Sequence, residues 1–281
     1  MAWLTNAVSF LALALGSCLV SFYGSPFKRG FYCDDETLRK PFKNNTVSGL
    51  VLIIVSIVIP PIIGFGIEKN KRLKSVTFKS FPRKYISATF VFYFGLMVTL
   101  FITQVSKYSV GRLRPNFFDV CRPSPTADPN CRGQYIEEFE CTNSLVVERV
   151  MDMNEEVRKS FFSGHASLMA HGMIYLCLVI SRATKLRPQL TAFKIATQTL
   201  LITLTLWVGY TRVNDNWHHW QDVAVGLLVG TSIAFYCARN LIKRSDQFNE
   251  DSPTNAAQLN NVMSLNQLTA DREACVDLTK S

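Results

Sequence analysis

The sequence predicts an all-α integral membrane protein, a six-transmembrane-helix bundle with its active site at the extracellular or lumenal helix ends. Three observations predict it. Of 281 residues, 48% are hydrophobic and 18% charged, with 20 phenylalanines, a balance too apolar for an ordinary soluble domain. Several runs stay apolar and uncharged over about the 20 residues that a helix needs to cross a bilayer. The ionisable residues of chemical interest cluster where those runs end.

The first span covers about 4–23. A cleaved leader would need a basic segment ahead of the apolar run, but no Lys or Arg precedes Lys28. Although Leu15-Gly16-Ser17-Cys18 resembles a lipoprotein cleavage site, an uncleaved membrane helix is the better reading. The spans at 47–67 and 85–105 are the firmest, being long and free of charge. Three shorter apolar cores lie within 163–181, 192–210 and 221–240. They reach membrane length if their polar ends lie at the interface or against protein. Residues 1–245 thus read as one six-helix membrane domain with both termini on the same side. Residues 246–281 are polar, with repeated Asn and Gln, and read as a disordered cytosolic tail.

Basic residues orient the bundle, because short cytosolic loops carry an excess of Lys and Arg. The loop at 68–84 holds Lys69, Lys71, Arg72, Lys74, Lys79, Arg83 and Lys84, and the loop after the fourth span holds Arg182, Lys185 and Arg187. Both are expected in the cytosol. Lys28 and Arg29, just after the first span, argue the opposite, and the denser loop decides. Asn44-Asn45-Thr46 is then an outside sequon; Asn44 is a weak glycosylation site, close to the second span, and a chance match weighs equally. Cys33, Cys121, Cys131 and Cys141 also fall outside, where two disulfides in any of three connectivities are open to them. Cys18, Cys177 and Cys237 lie in apolar runs. With no CxxC and no Cys/His pair at ligand spacing, no metal site is expected. No nucleic-acid partner is expected either.

Three clusters stand at helix ends on the outside. Lys107 and, after six residues, Arg114-Pro115 leave the third span. Ser163-Gly164-His165 enters the fourth. Thr211-Arg212, five residues, His218, three residues and Asp222 connect the fifth and sixth. Each has a plain reading. Basic side chains past a membrane helix usually snorkel to headgroups, a lone His at a helix start is more often a cap, and Asp222 with His218 could be a helix-surface pair. Trp207, Tyr210, Trp217 and Trp220 read as interfacial aromatics, and His171 as structural. Yet Lys107, Arg112, Arg114 and Arg212 all run against the charge bias of an outside face, and an anionic ligand is the simplest account of them.

The residue types fit phosphoryl transfer, where the protein must position the group and neutralise its charge. Lys107, Arg114 and Arg212 supply cations, the two Arg with bidentate geometry. Ser163 and Gly164 open a helix whose free N–H groups and dipole suit an anion, and Gly lets the backbone come close. His218, with a carboxylate four residues on, suits a nucleophile whose tautomer Asp222 fixes. His165 suits a proton donor to the leaving alkoxide, and His219 must point elsewhere.

Taken together, Lys107-x6-Arg114-Pro115, Ser163-Gly164-His165 and Arg212-x5-His218-x3-Asp222 resemble the three-part signature of the type 2 phosphatidic acid phosphatase superfamily. The six spans and their spacing are similar to its lipid phosphate phosphatase (phospholipid phosphatase) family, over nearly the whole chain except the tail. The resemblance implies that Lys107, Arg114, Arg212, Ser163 and Gly164 bind phosphate, that His218 is the nucleophile, His165 the general acid and base, and that Asp222 orients His218. It also implies Mg2+-independent hydrolysis of phosphatidate, lysophosphatidate, sphingosine 1-phosphate and ceramide 1-phosphate, without a cofactor. The substrates are the expected partners, in the plasma membrane or an endomembrane, and a homo-oligomer stays open. Two departures are visible, since Phe162 and Thr211 stand where the superfamily often has Pro and Ser; neither removes a catalytic group. A phosphotransferase using the same site and a lipid-binding relative without activity are the alternatives. A haem protein is disfavoured, because three of the four histidines lie at helix ends.

Overall fold

The computed structural model describes residues 2–72, 81–124, 133–143, 153–184 and 188–250, with backbone alone for 2–3, 68–72, 81–87, 153–154 and 241–250. Its helices are α1 (Ala2–Tyr23), α2 (Gly49–Ile53, a π-helical stretch Ile54–Val58, and Ile59–Arg72), α3 (Phe81–Val110), α4 (Phe117–Cys121), α5 (Met153–Glu156), α6 (Gly164–Thr184), α7 (Thr191–Asn214) and α8 (Trp220–Glu250). Six stretches are long and apolar enough to cross a membrane: Leu4–Tyr23, Gly49–Ile67, Ala88–Val110, Gly164–Thr184, Pro188–Asn214 and Trp220–Asn240. These are the six expected spans, with two corrections. The third runs on to Val110 and the fifth to Asn214, so that Lys107 and Arg212 sit in last helical turns. Their side chains face protein rather than lipid, and a charge so placed does not end a span.

Helix α2 starts on Ser48, whose hydroxyl accepts the Val51 N–H at 3.3 Å. It then widens over Ile54–Val58, just ahead of Pro60 and Pro61. Neither proline has an N–H for the carbonyls of Ser56 and Ile57, and a local widening is a common accommodation. There the Ser56 backbone meets α6, since a Cβ on Gly172 would stand 2.3 Å from the Ser56 carbonyl oxygen.

Helix α6 is the centre of the bundle. Of its membrane window 67% is buried, against 0% for α1. This explains why its sequence is among the less apolar of the six: Ser167 and His171 face protein, not lipid. It packs on α2, α3 and α7 around Val47, Leu52, Leu96, Leu168, Met169, Met173 and Val208. Thr103 on α3 and Ser167 on α6 share a hydrogen bond of 3.2 Å, and the His171 Nε2 meets the Phe92 carbonyl at 3.2 Å, a structural place.

Against α8 the approach is backbone to backbone. A Cβ on Gly226 would stand 2.6 Å from the Ser163 carbonyl oxygen and one on Gly230 2.1 Å from that of Ser167, the close crossing that small residues four apart allow. Gly230→Ala is therefore expected to force the helices apart and destabilise the fold by about 1–3 kcal/mol, the usual cost of overpacking. Gly64→Ala, with nothing within 4 Å of its Cβ, is expected to be neutral. Thermal unfolding in detergent compares them, and equal midpoints would contradict the close crossing.

The segments before α2 and between α3 and α6 form a lobe at one end of the bundle. Strand β1 (Phe31–Tyr32) pairs antiparallel with β3 (Tyr135–Ile136), and β2 (Pro123–Ser124) with β4 (Glu140–Cys141). Its core is aromatic, with the Phe31 ring 5.1 to 5.2 Å from those of Phe117, Phe118 and Phe139. Of the open connectivities the structure has Cys121–Cys141. Cys33 is also disulfide-bonded, and Cys131 lies outside the described residues.

The chain divides into two units, Met1–Ala238 and Arg239–Ser281. The second is described only through Glu250, where it is helical; most of the segment expected as a tail, 251–281, lies outside the described residues. So do Lys74, Lys79, Lys185 and Arg187, on which the expected orientation partly rests.

Candidate active site

Lys107 stands in the last turn of α3, which ends in a tight turn at Gly111. There φ is +59° and a Cβ would lie 2.0 Å from the Phe27 carbonyl oxygen, so only glycine fits. The reversal carries Arg112 and Arg114 back over the helix end. Arg114 is 5% exposed. Its Nε donates to the Glu156 carbonyl at 2.8 Å, its Nη2 pairs with the Glu156 carboxylate, and its guanidinium lies 4.7 Å from the Trp217 ring. Arg212 is 1% exposed and donates to Asp215 Oδ2 at 2.6 Å and Asn45 Oδ1 at 2.7 Å. Arginines this buried do not snorkel to headgroups, and each keeps N–H groups to offer a ligand.

The Asp215 carboxylate is held in turn by the Thr46 N–H at 2.8 Å and hydroxyl at 2.7 Å. Asn44 is exposed, while the other two residues of its sequon brace the third motif. The same segment takes the Trp217 indole N–H on the Lys43 carbonyl at 2.9 Å. Trp217 is thus a site residue and not an interfacial aromatic, unlike the exposed Trp207, Tyr210 and Trp220.

Ser163, fully buried, donates its N–H to the Asp222 carbonyl at 3.0 Å. Helix α6 begins at Gly164, and a Cβ there would lie 3.6 Å from Thr103 Cγ2 and 3.9 Å from Lys107 Nζ, so the missing side chain leaves room beside the ammonium and the first-turn N–H groups. The His165 ring lies beside the Val47 backbone, and its Nε2 is buried with no hydrogen-bond partner. Arg212, Lys107 and Arg114 all lie within electrostatic reach of this imidazole.

His218 is 4% exposed, and its Nδ1 lies 2.6 Å from the Ser160 carbonyl oxygen. A carbonyl only accepts, so Nδ1 carries the proton and Nε2 has a free lone pair. Burial, then Arg114 and Lys107, push this imidazole well below its ordinary value, against the smaller opposing effect of the Ser160 hydrogen bond. It is therefore neutral at neutral pH. The direct pairing expected of Asp222 is not what the structure has: Oδ2 stands 4.0 Å from His218 Nδ1. Helix α8 starts only at Trp220, so the four-residue spacing does not place both on one helix face. His219 is the histidine that meets the carboxylate, through its N–H at 3.0 Å and its Nδ1 at 3.3 Å.

All the residues singled out in the three clusters come together. Reasoning from sequence missed Ser160, Glu156, Asp215, Asn45 and Thr46, and counted Arg112 only as a charge. The available signals were the acid three residues after Arg212 and the Ser three residues before Ser163. Among the described residues no group of three His, Cys, Asp or Glu is placed to hold a metal ion.

Residues 88–246 match the model of the PAP2 superfamily. The chain is 31% identical over 261 residues to phospholipid phosphatase 2 of Bos taurus, covering 89% of this chain and 85% of that one. It is 31% identical over 248 residues to phospholipid phosphatase 1 of Mus musculus, covering 83% and 82%. A Drosophila melanogaster relative, 32% identical over 257 residues, is longer, and the chain spans 65% of it. No solved structure matches the chain significantly.

Proposed function

The chain belongs to the PAP2 superfamily, and from that membership and the geometry of its site we propose that this membrane-embedded lipid phosphatase hydrolyses lipid phosphate monoesters through a phosphohistidine, without a metal. Phosphatidate, lysophosphatidate, sphingosine 1-phosphate and ceramide 1-phosphate are the substrates of choice. The observation that carries the reading is the hydrogen bond from His218 Nδ1–H to the Ser160 carbonyl at 2.6 Å, which leaves Nε2 as a neutral, oriented nucleophile.

Nε2 of His218 attacks phosphorus and the bond to the lipid oxygen breaks, while His165 gives that oxygen a proton. His165 then takes a proton from water, the water oxygen attacks phosphorus, and the P–N bond breaks to release inorganic phosphate. Lys107, Arg114, Arg212 and the opening N–H groups of α6 hold the equatorial oxygens throughout. Purified protein in EDTA is expected to release phosphate from the lipid panel. Release that needs added Mg2+ would overturn the metal-free mechanism, and none from any lipid would favour a binding protein without activity.

The site faces the extracellular or lumenal side, with both termini cytosolic. Supporting this, the Cys121–Cys141 disulfide lies in the lobe that carries Arg114, and disulfides persist in oxidising compartments. In intact cells, an impermeant maleimide is expected to label these cysteines once an impermeant reductant has opened the bond. Labelling only after permeabilisation would reverse the orientation.

A further inference from the structure

Between the nucleophile and the carboxylate expected to orient it stands Ser160, which meets His218 through its carbonyl and Asp222 through its hydroxyl. Ser160 and Asp222 are both fully buried. The Ser160 hydroxyl donates to Asp222 Oδ2 at 2.6 Å, its carbonyl accepts from His218 Nδ1 at 2.6 Å, and its N–H donates to the Arg112 carbonyl at 3.0 Å. The Asp222 carboxylate is otherwise taken up by Arg112 Nη1 on Oδ1 at 2.6 Å and by His219 on Oδ2. Every short bond to it comes from a donor other than His218, which stays at 4.0 Å.

We propose that Ser160 is the positioning residue through which Asp222 acts on the nucleophile. Asp222, clamped from the far side by Arg112, fixes the Ser160 hydroxyl. The hydroxyl fixes the peptide, and its carbonyl then holds Nδ1–H and aims Nε2 at phosphorus. The carboxylate thus orients His218 at second hand, through a peptide dipole in place of a direct ion pair. Such an arrangement suits a neutral nucleophile, since a carboxylate touching Nδ1 would favour the imidazolium, whose Nε2 has no lone pair.

The inference rests on His218 being the nucleophile, and its test keeps the two apart. Steady-state kinetics on phosphatidate in detergent micelles compares wild type, Ser160→Ala, Asp222→Asn and the double variant. Ser160→Ala keeps the carbonyl and loses the hydroxyl, so kcat is expected to fall about 10-fold, equivalent to roughly 1.4 kcal/mol, with KM within about twofold. The double variant is expected to match the worse single one, because both break the same chain. Ser160→Cys, similar in volume but a weak donor, covers failure of the alanine variant to fold, and its kcat is again expected to fall at constant KM. An unchanged kcat in Ser160→Ala, or a double effect equal to the product of the singles, would overturn the relay and leave the phosphohistidine reading standing. A wild-type kcat unaffected by His218→Ala would sink the parent reading.

Discussion

His218→Ala is expected to bring turnover below detection and to leave no covalent phosphoenzyme, with the fold intact. The ring fills a buried place, but its hydrogen bonding ends at one carbonyl, that of Ser160, and its removal leaves that acceptor the short task of finding water. What is lost is an imidazole whose Nδ1 proton is fixed by the Ser160 carbonyl and whose Nε2 is free beside Arg114 and Lys107. Neither arginine nor lysine can substitute as a nucleophile here. Rapid quenching of the wild type with ³²P-labelled lipid, followed by alkaline denaturation and peptide mapping, is expected to find acid-labile, base-stable phosphate on His218. Label on His165, or label persisting in His218→Ala, would sink the assignment. The same environment sets the acid limb of kcat/KM. Because burial and cations lower the pKa, protonation of the nucleophile is expected to reduce activity only below about pH 6.5, the ordinary imidazole value.

His165→Ala is expected to cost about 10²- to 10⁴-fold in kcat, the scale of a lost general acid–base group, and to fail differently. The phosphate-binding groups and the attacking nitrogen remain, so a substrate whose leaving oxygen needs little protonation should still phosphorylate His218. The second step then has no base to activate water. Phosphoenzyme is therefore expected to accumulate in this variant with an activated aryl phosphate, detectable by rapid quench, whereas the wild type turns it over. The assignment is motivated by the buried Nε2 of His165, which has no hydrogen-bond partner, together with Arg212, Lys107 and Arg114 within electrostatic reach of the ring, a cationic setting that the buried His171 does not share. Loss of both steps in equal measure would point to a binding role instead.

The spans were legible because apolar length is a property of contiguous sequence, and the site was legible as residue types because Lys107, Arg114, His165, Arg212 and His218 have no other reason to gather at helix ends. Their partners were not. Glu156 and Asn45 reach Arg114 and Arg212 across 42 and 167 positions, separations at which no local spacing rule operates. Asp222 was matched to His218 by a helical rule that does not apply, since the helix begins two residues too late for it. The lobe of two-residue strands carried no periodicity to read.

The α6–α8 contact sets how tightly the reaction centre is machined. Ser163 N–H to Asp222 carbonyl, Gly226 on Ser163 and Gly230 on Ser167 are three successive meetings of main chain with main chain, and none of them depends on a rotamer. To part the segment that carries His165 from the one that follows His218, one helix would have to move as a body against the other. Sequence drift on the lipid-facing sides of α1 or α7, or a change of bilayer, has no side chain here to reshape. The tolerance of the candidate site at this crossing is therefore written in the peptide backbone.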